Sequence, residues 1–390
     1  MIVVAGKNNI AVHALNYLVD RLGNEAVTAL PNKNDNGEDG WQQSLRLASN
    51  KRNVQQASLE SIENDRVELF LSLEYDRIIK PSIFRNASLY NFHFSCLPRY
   101  KGMYTAIWPI LYGDQKSGVT LHEIDQGIDT GDIYAQRTFN ISSIDRSRDL
   151  YRKYIKNGIV LFDEKIEEIL SSALKPMPQT AERSSYFSKD TIDFSKLTIN
   201  LQCTAWELQR QLYAFSFREY QLLRVFGKSI VEIDITSRKS TYKPGTVVQD
   251  SRSKLVVSTI DYDVILFVDL LPVVLDRFRS CNREESSSLL SHVAGIHDRN
   301  EKGWSPIIVS AYHGNFEAVK YLLDNGADPN DCNYKGTTVL MYSKDFSLKN
   351  MSKRVFELLR NAGADLSIKD FSGKILEDYV TADEARYLGL

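Results

Sequence analysis

The chain has 390 residues, 43% apolar and 25% charged, the balance of a soluble globular protein long enough for two or three domains. Its formal charge of −2 gives no general attraction to a polyanion, which sets nucleic acid aside as a default partner. No run approaches the roughly 18 apolar residues that span a bilayer, and the opening lacks a basic segment ahead of its apolar residues, so neither a membrane nor export is expected and the chain is read as cytoplasmic.

Residues 1–180 alternate β-rich runs with amphipathic stretches. Strands are expected at Met1–Gly6, Val67–Leu73, Ser88–Phe94, Gly118–Ile124 and Asp132–Phe139, with a helix from about Ile10. That alternation predicts an α/β domain with a largely parallel sheet. From Arg148 to Leu174, the apolar positions Leu150, Tyr154, Ile159, Phe162, Ile166 and Ile169 mark one long amphipathic helix, which Lys175–Thr180 stops with two prolines. Residues 181–280 carry one helical stretch, Thr204–Phe215, and then four β-rich runs between polar turns, the pattern of a small antiparallel β-rich domain. Cys96, Cys203, Cys281 and Cys332 are scattered with no C-x-x-C spacing, which argues against zinc or any metal and against a disulfide framework.

Arg279–Ser288 is a polar break, and residues 285–390 form a third pattern. The stretch Glu301–Asn330 recurs loosely as Tyr334–Ser367 and again, shortened, as Phe371–Leu388, with Gly303 and Gly336 spaced 33 residues apart. The period and the turn, helix, helix, Gly-Ala-Asp order resemble the ankyrin repeat over about Leu289–Leu390. Barely three units are present, close to the minimum that buries a continuous core, so docking against the rest of the protein is expected.

Chemistry concentrates in Leu89–Gly102. Asn91 and His93 stand two apart at the end of a predicted strand, so they share one face, and ligands of open α/β sheets collect beyond such carboxyl ends. Asp129 sits in the loop Gly127-Ile128-Asp129-Thr130-Gly131, which can return its carboxylate toward the histidine.

The motif Asn-Phe-His-x-Ser-x-Leu-Pro-Arg-Tyr-Lys-Gly, followed by Gly-Val-Thr-Leu-His-Glu-Ile-Asp-Gln-Gly-Ile-Asp-Thr-Gly-Asp-Ile, is similar to the signature of formyltransferases that use N10-formyltetrahydrofolate as cosubstrate. Within them, the opening Met1–Leu15, Leu73–Phe84 and Tyr100–Ile110 look most like the bacterial dTDP-amino-sugar N-formyltransferases, over roughly residues 1–275. The tail is most similar to that of dTDP-3-amino-3,6-dideoxyglucose N-formyltransferases of O-antigen and lipopolysaccharide synthesis. The resemblance implies a Rossmann-like catalytic domain (1–180), a β-rich domain (181–280) that supports substrate and homodimerisation, and ankyrin repeats (285–390). It also implies formyl transfer to the amine of a dTDP-linked aminodideoxyhexose, most closely dTDP-3-amino-3,6-dideoxy-D-glucose.

For such a transfer, the amine loses a proton while charge develops on the formyl oxygen. His93 suits the base, since the ordinary imidazole pKa of about 6.5 lets it accept a proton at neutral pH. Asp129 suits the group that orients it and balances its charge, and Asn91 suits a donor to the oxygen. The resemblance further implies folate contacts at the backbone of Arg77, Ile78 and Ile79, at Met103, and along Asp125, Gln126, Gly127, Ile128 and Asp129. It turns Lys7, Asn9, Arg99 and Tyr104 toward the nucleotide sugar, while Tyr213 in the aromatic run Tyr213–Tyr220 is a candidate to approach the thymine.

Other features have plainer readings. His122 is read as structural, and His13, His292, His297 and His313 have no supporting constellation. Phe94 stands where the family often has proline or glycine and is expected to reshape the acceptor pocket. The Gly6-Lys7-Asn8-Asn9 turn lacks the G-x-G-x-x-G spacing of a phosphate loop. Trp304 occupies a position where ankyrin repeats have a small threonine, which suggests packing onto the catalytic body or an auxiliary ligand site for a second nucleotide sugar. Three rival acceptor or function readings remain: a 4-amino-4,6-dideoxyglucose or 3-amino-3,6-dideoxygalactose acceptor, methionyl-tRNA formylation, and an ankyrin module that binds a protein.

Overall fold

The run Ile2-Val3-Val4-Ala5-Gly6 has no polar face, and it folds as a fully buried strand, β1 (Ile2–Gly6), paired in parallel on both sides. The computed structural model describes residues 1–62, 66–290 and 295–390, so His292 lies outside the described residues. The chain divides into two compact units, residues 1–38, 42–200 and 206–223 in one and 39–41, 201–205 and 224–390 in the other.

In the first unit, β1 joins β2 (Val27–Pro31), β3 (Gln55–Gln56), β4 (Leu69–Leu73), β5 (Ser88–His93), β7 (Lys116–Glu123) and β8 (Ile133–Asn140). A short β6 (Lys101–Gly102) lies apart and pairs in parallel with β9 (Tyr186–Phe187). The seven-stranded order is β3-β2-β1-β4-β5-β7-β8. The strands from β3 to β5 run parallel, and β7 and β8 add an antiparallel edge.

Helices α1 (Asn8–Leu22), α2 (Leu45–Lys51), α3 (Trp108–Leu111) and α4 (Ser147–Leu170) flank the strands in sequence. The expected apolar stripe of α4 is buried at Leu150, Tyr154, Phe162, Ile166 and Ile169, and only partly at Ile159. Edge-to-face packing of His13 and Tyr17 on Phe162 holds α1 against α4, and His13 Nε2 lies 2.6 Å from Asp163 Oδ1. Gly6 ends β1 with φ +147°, and an added Cβ would lie 1.8 Å from the Leu73 carbonyl oxygen, so only glycine lets β1 and β4 close at the end that faces the site.

Residues 181–200 and 206–223 group with this first unit rather than with a separate β-rich domain. The reasons are visible: β9 pairs with β6, Ser147 Oγ donates to Ser216 O, and the Phe217 ring lies edge-on to Tyr151 at 5.8 Å. Most of helix α5 (Ala205–Phe215) belongs here.

The second unit contains a five-stranded antiparallel sheet, order β10-β11-β14-β13-β12. Its strands are β10 (Arg224–Val225), β11 (Lys228–Lys239), β12 (Val247–Asp250), β13 (Lys254–Ser258) and β14 (Tyr262–Val268). After β14 come α6 (Leu271–Arg277), α7 (Arg283–Leu290), and the repeat helices α8 (Pro306–Tyr312), α9 (Phe316–Asp324), α10 (Val339–Asn350), α11 (Arg354–Asn361) and α12 (Ala382–Leu388). Leu271, Val274, Leu275 and Phe278 share one apolar core with Ile307, Ile308, Leu322, Leu340, Phe356 and Leu359. The stretch at α6 thus extends the repeat stack, which shows how so few repeats bury a continuous core.

Candidate active site

Asn91 and His93 lie on β5, and the antiparallel register against β7 sets Asn91 opposite His122 and His93 opposite Thr120. Directly opposed side chains on one face touch. Asn91 Nδ2 is accordingly 3.1 Å from His122 Nε2.

The β7–β8 hairpin closes with Glu123 N–H on Asp132 O, and the intervening loop folds on itself through Thr130 Oγ1 and Gly127 N–H, both donating to Asp125. Gln179 Nε2 clamps it from outside by donating to the carbonyls of Asp129 (3.0 Å) and Gly131 (2.7 Å). Asp129, at φ +55°, is thereby turned inward. Its Oδ2 accepts from Gly102 N–H at 2.8 Å and lies 3.4 Å from His93 Nδ1. Its Oδ1 is 3.3 Å from Asn91 Nδ2 and 3.4 Å from His122 Nε2. The three predicted residues therefore converge, and His122, read from sequence as structural, joins them as a fourth.

Burial would by itself raise the Asp129 carboxyl, but the His93 ring and the Gly102 N–H hold it well below the usual carboxylate range. A depressed folded-state pKa contributes stability that is present above the unfolded value and lost as pH falls toward the folded one. Wild-type melting temperature is therefore expected to fall more steeply than that of Asp129→Asn as pH drops below about 4. Parallel pH curves for the two proteins would contradict this.

His93 is 7% exposed and its two nitrogens are distinct. Nε2–H donates to the Tyr100 carbonyl at 2.8 Å, which leaves Nδ1, on the Asp129 side, as the nitrogen able to take a proton. Cys96 is no competing nucleophile, since burial pushes its thiol up to about 11. Asn8, Glu74, Tyr100, Tyr104 and Asp129 all have φ between +55° and +63°, and each follows the carboxyl end of β1, β4, β5 or β7. Left-handed backbone at non-glycine positions gathers where a site is held in shape by its surroundings.

The other expected contacts divide. Ile78, Met103 and Ile128 are 69%, 45% and 38% exposed, three large apolar side chains on the loops that follow β4, β5 and β7. Arg77 pairs with Glu60, Ile79 is buried in the core, and Asp125, Gln126 and Gly127 shape the loop around Ile128. Lys7 ends the β1 turn near the Tyr220 hydroxyl, whereas Asn9 Oδ1 accepts from Gln43 N–H at 3.2 Å. Arg99 pairs with Asp114 at 2.7 Å and lines a cavity of about 490 Å³ with Tyr100, Tyr112, Arg183, Ser185 and Phe187. Tyr104 packs edge-on against Phe194.

Two expectations need correction. Tyr213 is 6% exposed with the Arg146 guanidinium over its ring, so it is a packed residue rather than a stacking platform; the exposed ring of that run is Tyr220, at 56%. Phe94 does not shape a pocket: it is 2% exposed, stacked on Tyr154 and edge-on to Tyr151. Sequence reading also missed a polar cluster at the ends of β1 and β4. The Tyr151 hydroxyl accepts from Asn8 Nδ2 (2.8 Å) and Gln42 Nε2 (2.9 Å) and donates to Glu74 Oε2 (2.9 Å). Burial, with the Glu74 charge, raises the Tyr151 hydroxyl well above its ordinary pKa, which keeps it a donor. No local motif signals this cluster, since its members come from the start of α1, the loop before α2, the end of β4 and helix α4.

Trp304 lies edge-on between Tyr312 (5.2 Å) and Tyr342 (4.9 Å), residues of its own repeat stack. Among the described residues, no group of His, Cys, Asp and Glu could hold a metal, and no helix is long and apolar enough to cross a membrane.

Comparison with known proteins matches residues 21–164 to the Formyl transferase family and residues 280–370 to ankyrin repeats in three copies. Among solved structures, the chain is similar to WlaRD, a sugar 3N-formyl transferase crystallised in the presence of dTDP and 5-N-formyl-THF. Identity there is 39% and the TM-score 0.62, over 68% of this chain and 97% of that one. It is also similar to an N-formyltransferase from Helicobacter canadensis in complex with folinic acid and dTDP-3-aminofucose, at 38% identity and TM-score 0.63, over 69% and 100%. Among curated proteins, the methionyl-tRNA formyltransferase of Malacoplasma penetrans (strain HF-2) is 27% identical over 283 residues, 68% of this chain and 87% of that protein.

Proposed function

This chain belongs to the formyl transferase family, and from that premise we propose that it formylates the amine of a dTDP-linked aminodideoxyhexose, with dTDP-3-amino-3,6-dideoxy-D-glucose as the preferred acceptor. The donor is N10-formyltetrahydrofolate, which supplies the formyl group when bound. The observation that carries this reading is the convergence of Asn91, His93 and Asp129 in a chain whose relatives at 38% and 39% identity were crystallised with a folate and with dTDP or a dTDP-sugar.

The residues present fit a folate. Exposed Ile78, Met103 and Ile128 offer apolar contact to a flat ring system, beside a buried polar centre. His93 Nδ1 takes the amine proton while Nε2–H stays on Tyr100 O, and Asp129 remains a carboxylate that balances the imidazolium. Asn91 Nδ2 supplies the donor for charge that develops on the formyl oxygen. On the nucleotide side, Lys7 stands at the N-terminus of α1, where backbone N–H groups favour an anion, and the Tyr220 ring lies beside it. Glu74, fixed by Tyr151, is an acceptor suited to a sugar hydroxyl.

Methionyl-tRNA formylation is the second reading, favoured by the curated relative at 27% identity. A charge of −2 weighs against it, because holding a polyanion depends on Lys and Arg. The setting in O-antigen synthesis and a homodimer remain part of the proposal. A panel of 3-amino and 4-amino dTDP-sugars in the gluco and galacto series tests the acceptor choice: the 3-amino-gluco compound should have the highest kcat/KM, and a preference for any other would displace it. Trp304 as an auxiliary ligand site predicts that calorimetric titration with a dTDP-amino sugar, without folate, finds two events in wild type and one in Trp304→Ala. One event in both proteins ends that idea.

A further inference from the structure

His122 Nδ1 lies 2.7 Å from the Glu123 carbonyl, so Nδ1 must carry the proton and donate. In the neutral ring this leaves Nε2 as a bare acceptor, 3.1 Å from Asn91 Nδ2. The amide orientation of Asn91 then follows from chemistry. Turned the other way, its Oδ1 would face both that lone pair and the Asp129 Oδ1 carboxylate oxygen, three acceptors with no hydrogen among them.

Asn91 Nδ2 has two hydrogens and two acceptors of unequal quality. One contact, to His122, is 3.1 Å, and the other, to Asp129, is stretched to 3.3 Å. The first anchors the amide and the second leaves a weakly held hydrogen on the side where His93 and Asp129 meet. We propose that His122 is a positioning residue for the transfer: it fixes the Asn91 amide so that the Nδ2 hydrogen nearer Asp129 is the one presented to the formyl oxygen. This rests on the formyl-transfer reading above. His122 is 2% exposed and cross-strand to Asn91, so the contact is built into the sheet register rather than into a mobile loop.

Two substitutions separate anchoring from filling space. His122→Gln retains an acceptor near the Nε2 position, and His122→Leu retains apolar bulk without one. With 15N-asparagine labelling, the Asn91 side-chain NH2 signal, identified by its absence in Asn91→Ala, reports the hydrogen bond with no ligand present. It should stay near its wild-type position in His122→Gln and move to that of an unbonded amide in His122→Leu. In turnover, His122→Leu should lose about tenfold in kcat, the scale of one hydrogen bond, with KM for both substrates changed less than about twofold, and His122→Gln should recover most of it. Residues that merely filled space would reverse that order, since glutamine buries a polar group and leucine does not. An amide signal indifferent to both substitutions overturns the inference whatever the activity. If the enzyme formylates no amino sugar, the functional reading fails while the amide signal still decides the role of His122.

Discussion

His93→Asn is expected to lower turnover by at least about 10²-fold while the fold and the KM for both substrates stay close to wild type. The reason is the division of labour in the ring. Nε2–H is committed to the Tyr100 carbonyl, so the variant's amide can preserve a structural hydrogen bond, but nothing in it replaces Nδ1 as a base beside Asp129. Loss of a proton acceptor that acts only as the amine attacks lowers kcat without weakening ground-state binding. Turnover within a few-fold of wild type would contradict the assignment.

Asn91→Ala is expected to cost about 10²–10³ in kcat, the usual effect of removing one preorganised donor from a developing oxyanion. It also removes a partner from both Asp129 Oδ1 and His122 Nε2, so a modest loss of stability should accompany the catalytic one. Restoring volume without the donor, as in Asn91→Leu, should not rescue kcat. Activity of either variant near the wild-type level would mean that the formyl oxygen is stabilised elsewhere.

The pair Asn91 and His93 was legible because period-two alternation on a strand is a local property, and the loop that returns Asp129 is marked by its own glycines. His122 was not legible, because its partner is chosen by the register of β5 against β7, which no local pattern states. The same limit explains Phe94: its neighbours Tyr151 and Tyr154 come from α4. Tyr213 and Tyr220 lie seven residues apart in one aromatic run, and only the packing of Arg146 over the first distinguishes buried ring from exposed one. The repeats announced themselves by their 33-residue period, where Gly303 and Gly336 approach the turns of the following repeats. Helix α6 was hidden, since seven residues run on from an apolar strand and give no room for a helical period to appear.

The measurement that reaches furthest is release of tetrahydrofolate, with mass detection of the formylated product, when the purified chain meets N10-formyltetrahydrofolate and either a dTDP-3-amino-3,6-dideoxyhexose or methionyl-tRNA. Formylated sugar in step with tetrahydrofolate release, lost in His93→Asn, and no formylated tRNA is the result expected. Formylation of the tRNA, or release that occurs without any formylated sugar, would contradict the account.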